Sequence, residues 1–342
     1  TALCLCGARG VLAWTKAPAE LRDETMAYLN IVFAGLIFSF LYNYYASALR
    51  GIGNSKIPFV FQAAASALHI AMNLLFVGAL GLGVRGSALA TVLSQMFSSG
   101  ACIYYVYRYE PLLALRRGDC AVDRAALGQT IGYSWASALQ SIIVYVGRFL
   151  TQGCVNPMGA DVVAGYNAAT RIEAIVVIPY EGISTAESTF IAQNLGAGHA
   201  ERVRAGVRAS FVMNLAYVSV ACTLVFRNAA AIMGIFVPDG SDSVIIEAGS
   251  LYLRPQSVYL ALSAVDVVMQ SFLRGLGEFR VVMVVSLLQI ILRVILSFWL
   301  VPLLGIPAIA HATAAGWAMI FFALIVLSHR RLRQIDGRLQ RA

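Results

Sequence analysis

The chain has 342 residues, of which 59% are hydrophobic and 12% charged, with a formal net charge of +8. Ordinary soluble domains carry about a quarter charged residues, so this composition excludes that class and leaves a membrane protein. The six cysteines, Cys4, Cys6, Cys102, Cys120, Cys154 and Cys222, are scattered, which excludes a zinc site or a secreted disulfide framework and leaves small apolar fillers.

Apolar runs long enough for a bilayer core of about 30 Å recur along the whole length. Thr1–Trp14 is too short to span and has no basic leader, so it reads as the tail of a helix that begins upstream. Pro18–Glu24 is a polar loop, and the first complete span is Met26–Leu49. The next are Pro58–Leu80, Val84–Tyr107, Leu127–Val155, Asp161–Gln193, Val207–Phe226, Ser250–Leu273, Val281–Leu304 and Ile306–Ser328. The expectation is nine complete spans and a stub, all α-helical.

Basic residues orient these spans. Taking alternate loops collects sixteen of the 25 lysines and arginines on the side that holds the C-terminus and six on the other, with Arg148, Arg171 and Arg293 inside spans. The sixteen-charge side is expected to be cytoplasmic. The basic excess is a topology signal, and no soluble domain is left to bind nucleic acid.

An internal repeat organises the chain. Leu49-Arg50-Gly51-Ile52-Gly53 recurs as Leu273-Arg274-Gly275-Leu276-Gly277, and the same offset of 224 pairs Tyr28 with Tyr252, Val77 with Val301, Gly81 with Gly305 and Ala88 with Ala312. Three helices are duplicated in the same direction. The second copy is preceded by three further helices, so a complete chain is expected to hold about a hundred more upstream residues and twelve spans in two pseudo-symmetric six-helix lobes.

The Asp161–Gln193 span carries Arg171, Glu173, Glu181 and Glu187. Each charge costs roughly 2.5–3.5 kcal/mol on insertion scales, so such residues face a cavity or a partner. At about 100° per residue, Glu181 and Glu187 lie about 80° and −40° from Glu173, with Arg171 about 160° away. The acids are expected on one face, with Glu187 nearest water. Pro179 removes a backbone hydrogen bond near Glu181. Gln193 to Gly198 reads as a helix stop, in which Gly196 and Gly198 serve a turn or hinge.

Asp266 lies eight residues before Arg274, about 12 Å inside the turn, and its repeat partner is Tyr42. Arg293 pairs with His69 in the repeat, so both copies place a basic group at one depth, to hold a carboxylate or to relay protons. Arg148 is expected to snorkel to the surface. Tyr42, Tyr44 and Tyr45, with Phe38, offer either packing or cation–π contacts to an organic cation. The Arg-Gly-x-Gly turns follow no strand and open no βαβ unit, so they are not nucleotide sites; Gly supplies the backbone angles and Arg the cytoplasmic anchor.

YLNIVFAGLIFSFLYNYYASALRGIGNSKIP, NPMGADVVAGYNAATRIEAIVVIP, AQNLGAGHAERVRAGVR and LRGLGEFR, in this order and spacing, resemble the multidrug and toxic compound extrusion (MATE) family over essentially the whole chain. The resemblance implies a twelve-helix antiporter that expels organic cations against inward sodium ions or protons. In that frame residues 1–109 are the second half of the first lobe, 110–125 the cytoplasmic linker, 126–329 the second lobe and 330–342 a basic cytoplasmic tail. The sodium-coupled branch places an acid where Ser263 stands and a glutamate in the span Leu127–Val155, which has no acid. The proton-coupled branch uses an aspartate in its first span, outside this chain, and the coupling ion stays open.

The expected protein is a monomeric exporter in the cell membrane, surrounded by lipid, without a cofactor or metal beyond the coupling ion. Asp266 and Glu181 are the leading coupling or substrate residues, with Glu173, Glu187 and Tyr42 as further candidates. A flippase for lipid-linked sugars is the alternative, and a strongly cationic cavity would favour it. A membrane enzyme would need HExxH, GxSxG or a histidine-rich cluster, and the sequence has none of these.

Overall fold

A computed structural model of the chain describes residues 22–115, 123–237 and 243–339, with side chains to residue 331. The expected stub Thr1–Trp14, part of the loop Pro18–Glu24, Cys4, Cys6, Cys120, the middle of the linker and the end of the tail lie outside these residues. The chain divides into two compact units, Thr1–Ala121 and Val122–Ala342.

In the first unit, α1 (Arg22–Gly51), α2 (Lys56–Asn73) and α3 (Gly83–Tyr109) pack together, and α2 continues as a π-helical turn, Leu74–Ala79. Leu49, Tyr45, Cys102 and Val106 form their buried core. Phe59, Ile70 and Leu74 stand outward, 72%, 62% and 70% exposed. Apolar surface on that scale suits lipid and not water.

The second unit holds α4 (Arg124–Val155), α5 (Ala160–Gly196), α6 (Ala200–Phe236), α7 (Ser243–Gly275), α8 (Phe279–Leu304) and α9 (Pro307–Leu339). Asp123 caps α4, its carboxylate accepting from the Ala125 and Ala126 amides, which satisfies two of the otherwise unpaired first-turn donors. α7 is the central helix, packed on α5, α6 and α9, while α4 packs on α8. Tyr180, Tyr252, Leu253, Leu260 and Ile309 fill the core between α5, α7 and α9. Gly165 allows α5 and α7 to touch: a Cβ there would meet the Ile245 carbonyl oxygen at 2.5 Å.

Eight of these nine helices are long and apolar enough to cross a membrane. The exception among the described residues is α4, expected as a span, because Gln129, Thr130, Ser134, Ser137, Gln140 and Ser141 dilute its hydropathy. α6 is also much longer than the expected Val207–Phe226, with a kink at Asn228.

The repeat is a repeat of backbone geometry. After α1 the Asn54 amide donates to the Leu49 carbonyl and after α7 the Glu278 amide to the Leu273 carbonyl, both at 2.9 Å. The glycines of these turns, Gly53 and Gly277, have φ of 91° and 82°. The next turn of each copy holds Gly81 and Gly305 at 66° and 69°.

Candidate functional site

Between α4, α5, α7, α8 and α9 lies a cavity of about 700 Å³. From α4 it is lined by Gln140, Arg148 and Gln152, and from α5 by Tyr166, Arg171, Glu173, Tyr180 and Glu181. α7 contributes Tyr252, Ser263, Gln270 and Arg274, α8 contributes Ser286, Gln289 and Arg293, and α9 contributes Trp317. The polar residues that keep α4 below span hydropathy thus include part of the wall.

At one level of the cavity Glu173 is held by neutral donors: the Tyr252 hydroxyl donates to its Oε2 at 2.7 Å and Gln256 Nε2 to its Oε1 at 2.9 Å. Tyr166 stacks edge-on against Tyr252, with ring centroids 4.9 Å apart. Tyr180 and Ser263 share a hydrogen bond of 3.2 Å. A second polar clasp joins three helices, with Gln140 Nε2 donating to Ser286 Oγ at 2.9 Å and Ser286 Oγ donating to Gln270 Oε1 at 3.4 Å. These bonds fix the wall, because groups so paired are costly to separate in a low-dielectric site.

Glu181 is exposed to the cavity. Arg171 lines it as well, contrary to the expectation that the acids share a face from which the arginine is absent. From Glu173, the wall sweeps through Glu181 at about 80° to Arg171 at about 160°. Glu187, at about −40°, falls outside that arc.

Glu187 therefore corrects the expectation that it is nearest water. It is 4% exposed. Ser210 Oγ of α6 donates to its Oε2 at 2.7 Å, and Asn214 Nδ2 donates to Ser210 Oγ and Ser184 Oγ, both at 3.4 Å. The turn between α5 and α6 is so short that α6 returns directly along this side of α5 and covers it. Its Oε1 is buried without a hydrogen-bond partner.

Asp266 is 1% exposed and stands off the cavity wall, on the turn of α7 between the lining residues Ser263 and Gln270. Both of its carboxylate oxygens are buried without a partner. Such a pair of orphan acceptors is expensive unless a proton or cation occupies it.

In the first unit Tyr42 donates its hydroxyl to the Pro58 carbonyl at 3.1 Å, a bond that ties α1 to α2. Tyr45 is buried edge-on against Tyr44 at 5.1 Å, and Tyr44 is exposed. His69 shares hydrogen bonds with Asn73 at 2.9 Å and Thr91 at 3.2 Å. Its repeat partner Arg293 lines the cavity. Neither basic group holds a carboxylate among the described residues. Pro179 lies within α5, which runs unbroken to Gly196. Past that end, the His199 amide donates to the Asn194 carbonyl at 2.8 Å and Gly198 takes φ of 76°, a helix-stop geometry.

Two charged lining residues were missed from the sequence, as were the neutral ones such as Tyr252, Gln270 and Trp317. Arg274 was read only as an anchor like Arg50, yet it lines the cavity with its Nε buried and unpartnered. Arg148 was read as reaching the surface, and it too faces the cavity. Cys102, Cys154 and Cys222 are free and buried, as small apolar fillers are.

The MatE family model matches residues 2–75 and 136–299. The chain is 26% identical over 291 residues to the probable multidrug resistance protein YpnP of Bacillus subtilis, covering 84% of this chain and 62% of that protein. It is 24% identical over 275 residues to the probable multidrug resistance protein NorM of Thermotoga maritima, covering 79% of this chain and 58% of that protein. The chain thus spans about six-tenths of the length of these curated relatives. A crystal structure of a MATE protein in complex with MaL6 has the same fold, with a TM-score of 0.92 over 98% of this chain and 76% of that chain at 18% identity.

Proposed function

The chain belongs to the MatE family, a family of membrane transporters and not of enzymes, and on that premise we propose that the complete protein is a multidrug-type efflux antiporter. It exports small organic molecules against an inward flow of protons or sodium ions, acts as a monomer in the cell membrane, and keeps its C-terminus in the cytoplasm. The observation that carries this reading is the combination of a cavity of about 700 Å³ in the second unit with a carboxylate, Asp266, buried next to the lining residue Val267 and with neither oxygen hydrogen-bonded among the described residues.

In this mechanism Asp266 binds the coupling ion. An empty, ionised Asp266 is poorly tolerated in the packing around it, whereas the occupied group is compatible with it. The ion therefore shifts the balance between two arrangements of α7 only by its differential affinity for them. Because Ser263, Val267 and Gln270 belong to the same stretch of α7 and line the cavity, a movement of that stretch changes substrate binding, which is the coupling antiport requires. Glu181 is the cavity's exposed acid and the residue for which a cationic substrate and an ion would compete. The test is dye transport by the reconstituted protein under an imposed proton or sodium gradient. Gradient-driven movement supports the reading, and identical rates with and without either gradient defeat it.

A flippase for lipid-linked sugars is the second reading. What favours it is the cavity's lining of Arg148, Arg171, Arg274 and Arg293 against two glutamates.

A further inference from the structure

The cavity lining carries more positive than negative charge. Arg148, Arg171, Arg274 and Arg293 line it together with Glu173 and Glu181. None of the four arginines has a carboxylate oxygen within 4.0 Å among the described residues. Glu173 already has both oxygens bonded to Tyr252 and Gln256. Its capacity to accept from an arginine is therefore reduced.

Three of the arginines share a depth. α4, α5 and α8 have ends on the same side of the unit, since each helix from α4 to α8 reverses the direction of the one before it through a short turn. Arg148 lies seven residues before the end of α4 at Val155, Arg171 eleven after the start of α5 at Ala160, and Arg293 eleven before the end of α8 at Leu304. At 1.5 Å per residue all three stand about 10–17 Å in from that side. Tyr166 of α5 lines the same cavity as both Arg148 and Arg293. The Nε of Arg293 is buried without a partner. Arg274 stands at the opposite end of the cavity, one residue before the end of α7.

Three guanidinium groups on three helices at a similar depth of one cavity, none within 4.0 Å of a carboxylate oxygen among the described residues, make a poor resting arrangement and a good receptor. Arginine's planar fork matches a carboxylate or a phosphate with two parallel hydrogen bonds. A water-poor wall strengthens each of them. Trp317, Tyr166 and Tyr180 on the same wall supply flat apolar surface for a ring. We propose that Arg148, Arg171 and Arg293 form the binding site for the carboxylate or phosphate of an aromatic organic anion, so that anions and not only cations are substrates of this protein. The proposal rests on the efflux reading for its transport consequence but not for the binding site itself.

The experiment is fluorescence polarisation with the purified protein in detergent, using carboxyfluorescein as the aromatic anion and rhodamine 123 as the aromatic cation. Carboxyfluorescein should bind the more tightly of the two. Arg293→Gln, Arg148→Gln and Arg171→Gln should each weaken it at least tenfold, and Arg293→Lys, which keeps the charge but loses the fork, by less. A melting temperature and size-exclusion profile unchanged from the parent show that the same variants are folded. Competition by 2-naphthoate or 2-naphthyl phosphate supports the site and identifies the preferred head group. Displacement by farnesyl pyrophosphate but by neither naphthyl compound overturns it in favour of a lipid ligand. Carboxyfluorescein binding that all three Gln variants retain also overturns it. The efflux reading is judged separately in proteoliposomes: rhodamine transport without anion binding leaves efflux standing and removes this site, whereas arginine-dependent anion binding without gradient-driven transport does the reverse.

Discussion

In α1–α3 and in α7–α9 the chain turns at the same places, with the same amide-to-carbonyl bonds after Leu49 and Leu273 and left-handed glycines at Gly53, Gly277, Gly81 and Gly305. At equivalent positions inside the helices the chemistry differs. Tyr42 gives its hydroxyl to the Pro58 carbonyl at 3.1 Å, and Asp266, its counterpart, is buried with neither oxygen bonded. His69 is occupied by Asn73 and Thr91, and Arg293 faces a cavity. At these two positions one copy uses its polar group to hold helices together, whereas the other leaves a carboxylate and a guanidinium Nε without a hydrogen-bond partner among the described residues. Backbone turns thus persist through duplication because glycine chemistry fixes them locally. Unpaired charges inside a membrane unit persist where a ligand completes them.

The comparison breaks most visibly at the pair Tyr42 and Asp266. Asp266→Asn preserves shape and removes the charge, so the variant should be produced and melt normally, while gradient-driven transport in proteoliposomes falls at least tenfold. Tyr42→Phe loses one partly buried hydrogen bond, about 1 kcal/mol, and should transport at close to the parental rate with a slightly lower melting temperature. Equal transport losses in both would show that the two positions have not diverged in role.

The turns were legible because they rest on glycine, arginine and a gapless offset, all visible in a string of letters. The mid-span oddity of Asp266 was legible for the same reason, as a mismatch between aligned copies. The burial of Glu187 was not, since the angular count along α5 places residues on a cylinder without saying that α6 would return along that side. The arginine site was missed because Arg148, Arg171 and Arg293 sit on three different helices and each has an innocent local reading. Counting residues from helix ends on the same side would have put them at one depth.

The next largest effect separates Gly51 from Gly275, which are also repeat partners. A Cβ at Gly275 would stand 2.8 Å from the Ile191 Cβ and 3.0 Å from the Ser188 carbonyl oxygen, and one at Gly51 would meet nothing within 4 Å. Gly275→Ala should destabilise by about 2–3 kcal/mol through overpacking against fixed neighbours. Gly51→Ala, at the end of α1, should be neutral or stabilise by up to about 1 kcal/mol. Melting followed by size exclusion in detergent would read both, and equal costs would mean that α5 does not pack on the end of α7.

Ser210→Ala probes the helices α5 and α6, which precede the second copy. It removes the only hydrogen bond recorded for the Glu187 carboxylate among the described residues and should cost roughly 1–2 kcal/mol. Ser219→Ala is the control on the same helix, since Ser219 is exposed, and should change little. If Glu187 were in water, as its place near the helix end suggested, the two would melt alike.

The smallest effect concerns what the copies still share. Gly53 and Gly277 both lie in the left-handed region, at φ of 91° and 82°, where an added Cβ crowds the following carbonyl. The surroundings offer no large additional penalty in either copy: nothing lies within 4 Å of a Cβ at Gly53, and the Tyr133 hydroxyl is at an ordinary 3.6 Å from one at Gly277. Gly53→Ala and Gly277→Ala should therefore cost the same, about 1 kcal/mol each. Being far apart in sequence and confined to local backbone strain, they should add in the double variant. A cost at one turn and none at the other, read as unequal shifts in melting temperature, would show that the shared geometry is imposed by packing in one copy and by glycine only in the other.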